Sequence, residues 1–137
     1  MENVPCTYRI SVKALIQDEA GRVLLLEEQD GRWELPGGGL EHGEDPRAAL
    51  PREIAEETGF TTEWISDQPV AFWTIQKEVG AASLKWFAFV VYEAKVSGQF
   101  KPSADTNDSA RQVKYFSCDE ASALPLHDNT KPYFSER

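Results

Sequence analysis

Three consecutive glycines after a proline, Pro36-Gly37-Gly38-Gly39, lead within six residues into the one segment of this chain that carries a full set of helix boundaries. Asp45 supplies an N-cap, Pro46 suits the first helical position, and Gly59 stands where a left-handed stop is expected. Glycines in series lack the Cβ that restricts a backbone, so the expectation before Asp45 is a loop without regular structure. The chain is thereby committed to a glycine loop feeding a helix, and the rest of the fold has to accommodate that junction.

Around it the pattern is mostly extended. Tyr8 to Ile16 and Val23 to Leu26 are apolar runs separated by Asp18-Glu19-Ala20-Gly21, which reads as strand, tight turn, strand. Trp33 to Leu35 adds a short extended piece. Pro69 to Gln76 and Leu84 to Val96 read as strands, the second strongly so because Trp86, Phe87, Phe89, Val90, Val91 and Tyr92 favour a pleated surface. A polar stretch, Lys101 to Ala110, precedes a strand at Val113 to Phe116. Asp119 to Leu124 fits a short second helix capped by Asp119, and Pro125 to Arg137 carries no clear period. This mixture of α and β predicts a sheet flanked by helices, an α/β chain. A length of 137 residues suits one domain over 1–137.

Charge narrows the partners. With 14 Lys and Arg against 23 Asp and Glu, the formal net charge is -9, which repels long nucleic acid and anionic membranes. A small polyanionic substrate would need a bridging cation. Cys6 and Cys118 are too few and too scattered for a disulfide framework or a paired zinc site. No run approaches the roughly 20 apolar residues of a membrane helix, and Met1 to Ile10 lacks a signal-peptide core, so the expected location is the cytoplasm.

The chemistry concentrates in the helix. At about 100° per residue, Glu53, Glu56 and Glu57 project from one face, and Arg52 lies four residues before Glu56, within reach of a side-chain pair. Three carboxylates on one face repel each other, and hard cations such as Mg²⁺ or Mn²⁺ relieve that repulsion through oxygen ligands. A solvated acidic face is the alternative. The glycine loop favours a metal, since its backbone can approach a ligand closely and offer carbonyls or amides. Pro51 interrupts the hydrogen bonding of the helix at a cost of about 3 kcal/mol, so a kink is expected there, with room for a shift of Arg52 relative to Glu56.

The segment fits the pattern G-x5-E-x7-R-E-U-x-E-E-x-G-U, with U a bulky apolar residue, through Gly38, Glu44, Arg52, Glu53, Ile54, Glu56, Glu57, Gly59 and Phe60. It resembles the Nudix box over residues 38–60, and Trp33 to Gly38 is similar to the lead-in of MutT-like Nudix hydrolases. The resemblance implies an α/β/α sandwich with a mixed β-sheet. It also implies hydrolysis, assisted by Mg²⁺ or Mn²⁺, of a phosphoanhydride bond in a nucleoside diphosphate linked to another group. Glu53 and Glu57 would hold the metal, Glu56 would assist coordination or water activation, and Arg52 would orient Glu56. Glu44 would belong to the outer metal network, and a backbone carbonyl near Gly37 or Gly38 would join the coordination. Gly37, Gly38, Gly39 and Trp33 are the candidates for substrate contact, with core packing the alternative for Trp33. Relatives also place the general base in a late loop, which brings in Asp105 and Asp108, though each taken alone reads first as a solvated loop carboxylate, and Glu41 is a further candidate for a metal or water contact, with a surface role the equal alternative.

Phe72, Trp73, Trp86 and Phe87 are possible base-stacking residues, though alternating strand residues more often fill a core. His42 and His127 read as surface residues, and Asn129 as a turn residue whose amide suits a purine edge. A nucleotide-sensing Nudix domain without catalysis is the main alternative, yet such domains usually lose a motif carboxylate or the arginine. A prenyl-diphosphate isomerase would need a catalytic cysteine in the fold. The sequence leaves nucleoside triphosphates and nucleotide sugars as equal substrate candidates, and the family makes a homodimer an open expectation.

Overall fold

The computed structural model describes residues 6–81, 83–102 and 110–135. β1 (Tyr8–Leu15) runs parallel to β7 (Leu84–Ser97) through the pairs Tyr8 with Trp86 to Leu15 with Glu93. On its other edge β1 pairs antiparallel with β4 (Gly37–Gly39), and β7 also carries β5 (Thr61–Ile65) and β6 (Ala71–Glu78), both antiparallel. One parallel pair among antiparallel ones makes the sheet mixed. A second sheet orders β3 (Trp33–Glu34), β2 (Val23–Glu27) and β8 (Gln112–Phe116).

Strand alternation divides the interior into two layers. Val12, Ala14 and Ile16 of the β1 segment, with Tyr92 and Ala94 of β7, pack beneath Ala49, Leu50 and Ile54 of α1 (Pro46–Thr58). Leu15, Val91 and Phe116 face the other way, onto Ala121 of α2 (Cys118–Ser122) and onto Tyr133 and Phe134 of α3 (Lys131–Ser135). Helices therefore cover both faces of the strands, giving the α/β/α sandwich. At the start of β1 and β7 the cover ends, and Tyr8, Ile10, Leu84 and Trp86 stay exposed.

Helix α1 begins and stops where its boundary residues require. Asp45 accepts the Ala48 amide at 3.0 Å, and Gly59 ends the helix at φ 80° while donating to the Ala55 carbonyl. The helix runs through Pro51 as one α-helical segment. Leu50 and Ile54 are fully buried, each contributing about 2 kcal/mol of apolar burial, which together exceeds the cost of the missing proline amide. The shift of Arg52 for which a kink at Pro51 left room does not occur, because Arg52 still meets Glu56 at 3.3 Å.

Four local expectations need correction. The glycines form the strand β4 rather than an irregular loop, because the edge of β1 offers them a ladder. β5 was not foreseen from its mixed sequence, and it is held by the late half of β7. Helix α2 is capped by Ser117, not Asp119. The Ser117 hydroxyl accepts the Glu120 amide while the Glu120 carboxylate accepts the Ser117 amide. α3 forms within the tail that shows no period, where Tyr133 and Phe134 pack edge to face.

Candidate active site

The end of α1 meets the glycine strand along a cleft of about 620 Å³. Gly37 donates its amide to Glu57 Oε1 at 2.8 Å. A Cβ placed on Gly38 would stand 2.6 Å from Glu53 Oε2, so only glycine permits this approach. Glu53 and Glu57 therefore lie against neighbouring residues of one strand. Gly37 itself has φ 136°, and a Cβ there would fall 2.0 Å from the Val12 carbonyl oxygen.

The ladder decides which glycine carbonyls face the cleft. The Ala14 amide bonds the Pro36 carbonyl and the Leu40 amide bonds the Ile10 carbonyl, which puts Val12 and Gly38 in the hydrogen-bonded pair between them. Gly38 thus turns its peptide groups toward β1. Those of Gly37 and Gly39 point the other way. Of the two glycines expected to supply a carbonyl ligand, Gly37 has the suitable orientation and Gly38 contributes by lacking a side chain.

Arg52 organises the outer side of this wall. Its guanidinium donates to Glu44 Oε2 at 2.8 Å and to both Glu56 oxygens at 3.3 and 3.4 Å, and it lies 3.4 Å from Glu53 Oε1. The Glu44 carboxylate also accepts the Glu41 amide, and this bond together with Arg52 holds its pKa below the ordinary value. Glu56 remains partly open to solvent at the cleft, whereas Glu57 is 8% exposed. Burial pushes the Glu57 carboxyl well above the usual carboxylate range, against the opposing pull of Lys13 and the Gly37 amide.

The opposite wall was not foreseen. Lys13, 3% exposed, donates to Glu34 Oε1 at 3.1 Å, to the Leu35 carbonyl at 3.2 Å and to the Gly37 carbonyl at 3.4 Å. Burial opposes its charge, yet Glu34 and Glu57 outweigh that and raise its pKa. Burial likewise works against ionised Glu34, but Lys13 and a hydrogen bond from Glu28 hold its pKa down. Glu28 takes the other share of this pair. Its partial burial and the Glu34 charge raise it to about 7. Asn129 completes the wall, donating from Nδ2 to Glu34 Oε2 at 3.4 Å while Oδ1 accepts from the Thr130 hydroxyl. A charged residue inside an apolar strand run, as in Val12-Lys13-Ala14 or Trp33-Glu34-Leu35, was the sequence signal for these two.

Several candidates fall elsewhere. Trp33 packs in the core, edge to face with Phe116 at 5.0 Å, and does not line the cleft, because its strand turns Glu34 that way. Trp73 stacks on Phe89 and donates its ring N–H to the Asn129 carbonyl at 2.9 Å, holding that turn in place. Phe72, Trp86 and Phe87 also lie off the cleft. Glu41 and His42 are exposed beside a second depression, and His127 is half-buried, its Nδ1 accepting the Asn129 amide. Asp105 and Asp108 lie outside the described residues.

The donor set suits a hard divalent cation. Among the described residues the cleft is lined by six acidic residues, Glu28, Asp30, Glu34, Glu53, Glu56 and Glu57, and by two basic ones, Lys13 and Arg52. Glu57 is forced toward its neutral form by burial, and Gly38 leaves a cradle that a Cβ would fill. Among the described residues no three acidic side chains converge tightly enough to enclose an ion as they stand. Arg52 draws Glu56 outward and the Gly37 amide draws Glu57 inward, so modest side-chain rotation is what loading would require.

Comparison with known proteins agrees with this geometry. The NUDIX domain profile matches residues 7–137. The 8-oxo-dGDP phosphatase NUDT18 of Danio rerio is 32% identical over 123 residues, covering 85% of this chain and 34% of that protein. An RNA pyrophosphohydrolase of Dinoroseobacter shibae is 44% identical over 59 residues, 41% of this chain and 37% of that one. The chain spans about a third to two fifths of the length of the curated relatives it matches. Among solved structures, a MutT NUDIX hydrolase from Burkholderia pseudomallei superposes with a TM-score of 0.72 at 25% identity, covering 94% of this chain and 97% of that one. With the box residues gathered along one wall of the cleft and the profile matched from Thr7 onward, the chain belongs to the NUDIX family.

Proposed function

We propose that this chain hydrolyses a phosphoanhydride bond in a small nucleotide, a nucleoside diphosphate linked to another group, with a divalent cation, Mg²⁺ first, held at Glu53 and Glu57. The observation that carries the reading is the contact of both carboxylates with the bare backbone of Gly37 and Gly38 at the floor of an acidic cleft. Glu53, Glu57 and the Gly37 carbonyl would hold the cation, and Glu56 stands beside them. Such a cation neutralises the diphosphate, polarises phosphorus and lowers the pKa of a bound water.

The residues of the chain do the rest. Arg52 fixes Glu56 and Glu44 from one side, so the Glu56 carboxylate is oriented rather than free to swing. Glu56 is then the group that takes a proton from the attacking water as the water oxygen bonds to phosphorus; the bridging P–O bond breaks with its electron pair on the leaving phosphate oxygen, giving a monophosphate and a phosphorylated remainder. Arg52, half-exposed at the rim, is a cation of the cleft placed to offset the phosphates. The name of one relative, an 8-oxo-dGDP phosphatase, supports placing oxidised guanine nucleoside diphosphates among the candidates.

The test is product analysis over a panel of nucleoside diphosphates, triphosphates, nucleotide sugars and dinucleotides with Mg²⁺, beside chelator and Glu56→Gln. Turnover of a panel member that chelator abolishes and Glu56→Gln strongly reduces is the expected result. Nucleotide binding across the panel with no phosphate product would replace the hydrolase with a nucleotide-sensing domain.

A further inference from the structure

Lys13 has no place in the box, yet it is the most completely buried charge at the site. Its strand alternation explains how it comes to be there. Val12 and Ala14 point toward α1, so Lys13 points to the opposite face, under the segment that joins β3 to β4. There its ammonium spends all three donors on that one segment, through Glu34, the Leu35 carbonyl and the Gly37 carbonyl.

Gly37 is thus gripped on both of the peptide planes that flank its Cα. Lys13 holds its carbonyl, and Glu57 holds its amide at 2.8 Å. The two planes are linked through the φ and ψ of Gly37, so the hold on its carbonyl bears on where the Glu57 carboxylate rests as well as on where that carbonyl points. Glycine at φ 136° has no side chain to fix the angle between the planes, so the fixing comes from its partners.

We propose that Lys13 is a positioning residue of the cation site, which anchors the backbone on either side of Gly37 so that Glu57 and the Gly37 carbonyl are presented together to the metal. The proposal rests on the metal-site reading above. It makes a prediction opposite in sign to simple electrostatics. Removing a positive charge from beside a cation site should tighten cation binding if charge alone matters. If Lys13 positions the ligands, removing it loosens binding, by about tenfold or more, the usual effect of losing a partner that orients a ligand.

Mn²⁺ binding, read from the spin-resonance signal of free Mn²⁺ without nucleotide, separates the two. The variants are Lys13→Met and the charge-neutral pair Lys13→Met with Glu34→Leu, which removes both members of the buried ion pair and leaves the net charge unchanged. Circular dichroism and thermal melts establish that each is folded. The expected result is Mn²⁺ affinity about tenfold weaker in every variant that folds, with Lys13→Arg restoring part of it. Unchanged or tighter binding in the folded double variant overturns the positioning role, even if its melting temperature falls. Wild-type protein that binds no Mn²⁺ overturns the underlying metal reading instead.

Discussion

The two walls of the cleft hold charge by different means. On the helix wall, Arg52 and Glu56 are a half-exposed pair at helical spacing, with side-chain exposures of 47% and 44%. On the strand wall, Lys13 and Glu34 form a pair with side-chain exposures of 4% and 6% between residues 21 apart in sequence. Solvent screens the first, so it adds little stability and is free to act on whatever enters. Water is nearly absent from the second, so breaking it leaves an uncompensated buried charge, a loss of about 3 kcal/mol or more. The lesson is a division of labour. On the proposed function the exposed wall would carry the chemistry, and the buried wall would hold the glycine strand against which that chemistry is aligned.

The largest predicted effect lies where the walls meet. Glu57→Gln should lower Mg²⁺-dependent turnover by on the order of a hundredfold while leaving the melting temperature equal or higher, since it removes a carboxyl that burial already disfavours as an anion. Loss of turnover that merely tracks unfolding would break the comparison. Gly37→Ala should come next, losing about 3 kcal/mol in denaturant unfolding, because its Cβ would collide with the Val12 carbonyl and the φ is unfavourable. Gly38→Ala meets only the mobile end of Glu53, so it should fold and lose metal affinity instead. Equal loss of stability in both would contradict the different roles assigned to the two glycines.

The walls should also differ in their response to pH. Glu28 titrates at about 7 in the folded chain against 4.5 for an ordinary glutamate. Its folded pKa is raised, so the stability it confers is complete below about 4.5 and is lost as pH rises through 7. Glu57 shifts in the same direction. Metal-free protein should therefore melt at lower temperature at pH 8 than at pH 5, the two acids outweighing His127, whose burial lowers its pKa and works the other way, and Glu28→Gln should flatten part of that slope. A melting temperature that climbs over this range would contradict the buried-acid account. The smallest effect is expected on the exposed wall. Arg52→Ala should change stability by less than about 1 kcal/mol yet reduce turnover, as Glu44 and Glu56 lose their common anchor.

This division also explains how much could be read from the sequence. The helix wall was legible because its residues share one helix, where spacing alone places Arg52, Glu53, Glu56 and Glu57, and Asp45 and Gly59 mark the ends. The strand wall depends on contacts between distant segments. Asn129 reaches Glu34 across 95 residues, and no local period could announce that pairing. Gly37 to Gly39 looked like a loop because their conformation is dictated by the open edge of β1 rather than by their own preference. Trp33 reads equally as a cleft or a core residue, since the order of residues into the glycines does not reveal which face of a two-residue strand turns inward. Pro51 carried a real local penalty, and the burial of Leu50 and Ile54 overrode it.

The central claim is that a divalent cation enters between the helix carboxylates and the glycine strand. Calorimetric titration of Mg²⁺ into wild-type protein and into Glu53→Gln with Glu57→Gln, in two buffers of different ionisation enthalpy near pH 7, tests it most directly. The account predicts a saturable site in the wild type that releases protons on binding, because Glu57 must ionise to serve as a ligand, and no measurable site in the double variant. Equal Mg²⁺ affinity in both proteins would contradict it and move the cation away from these carboxylates.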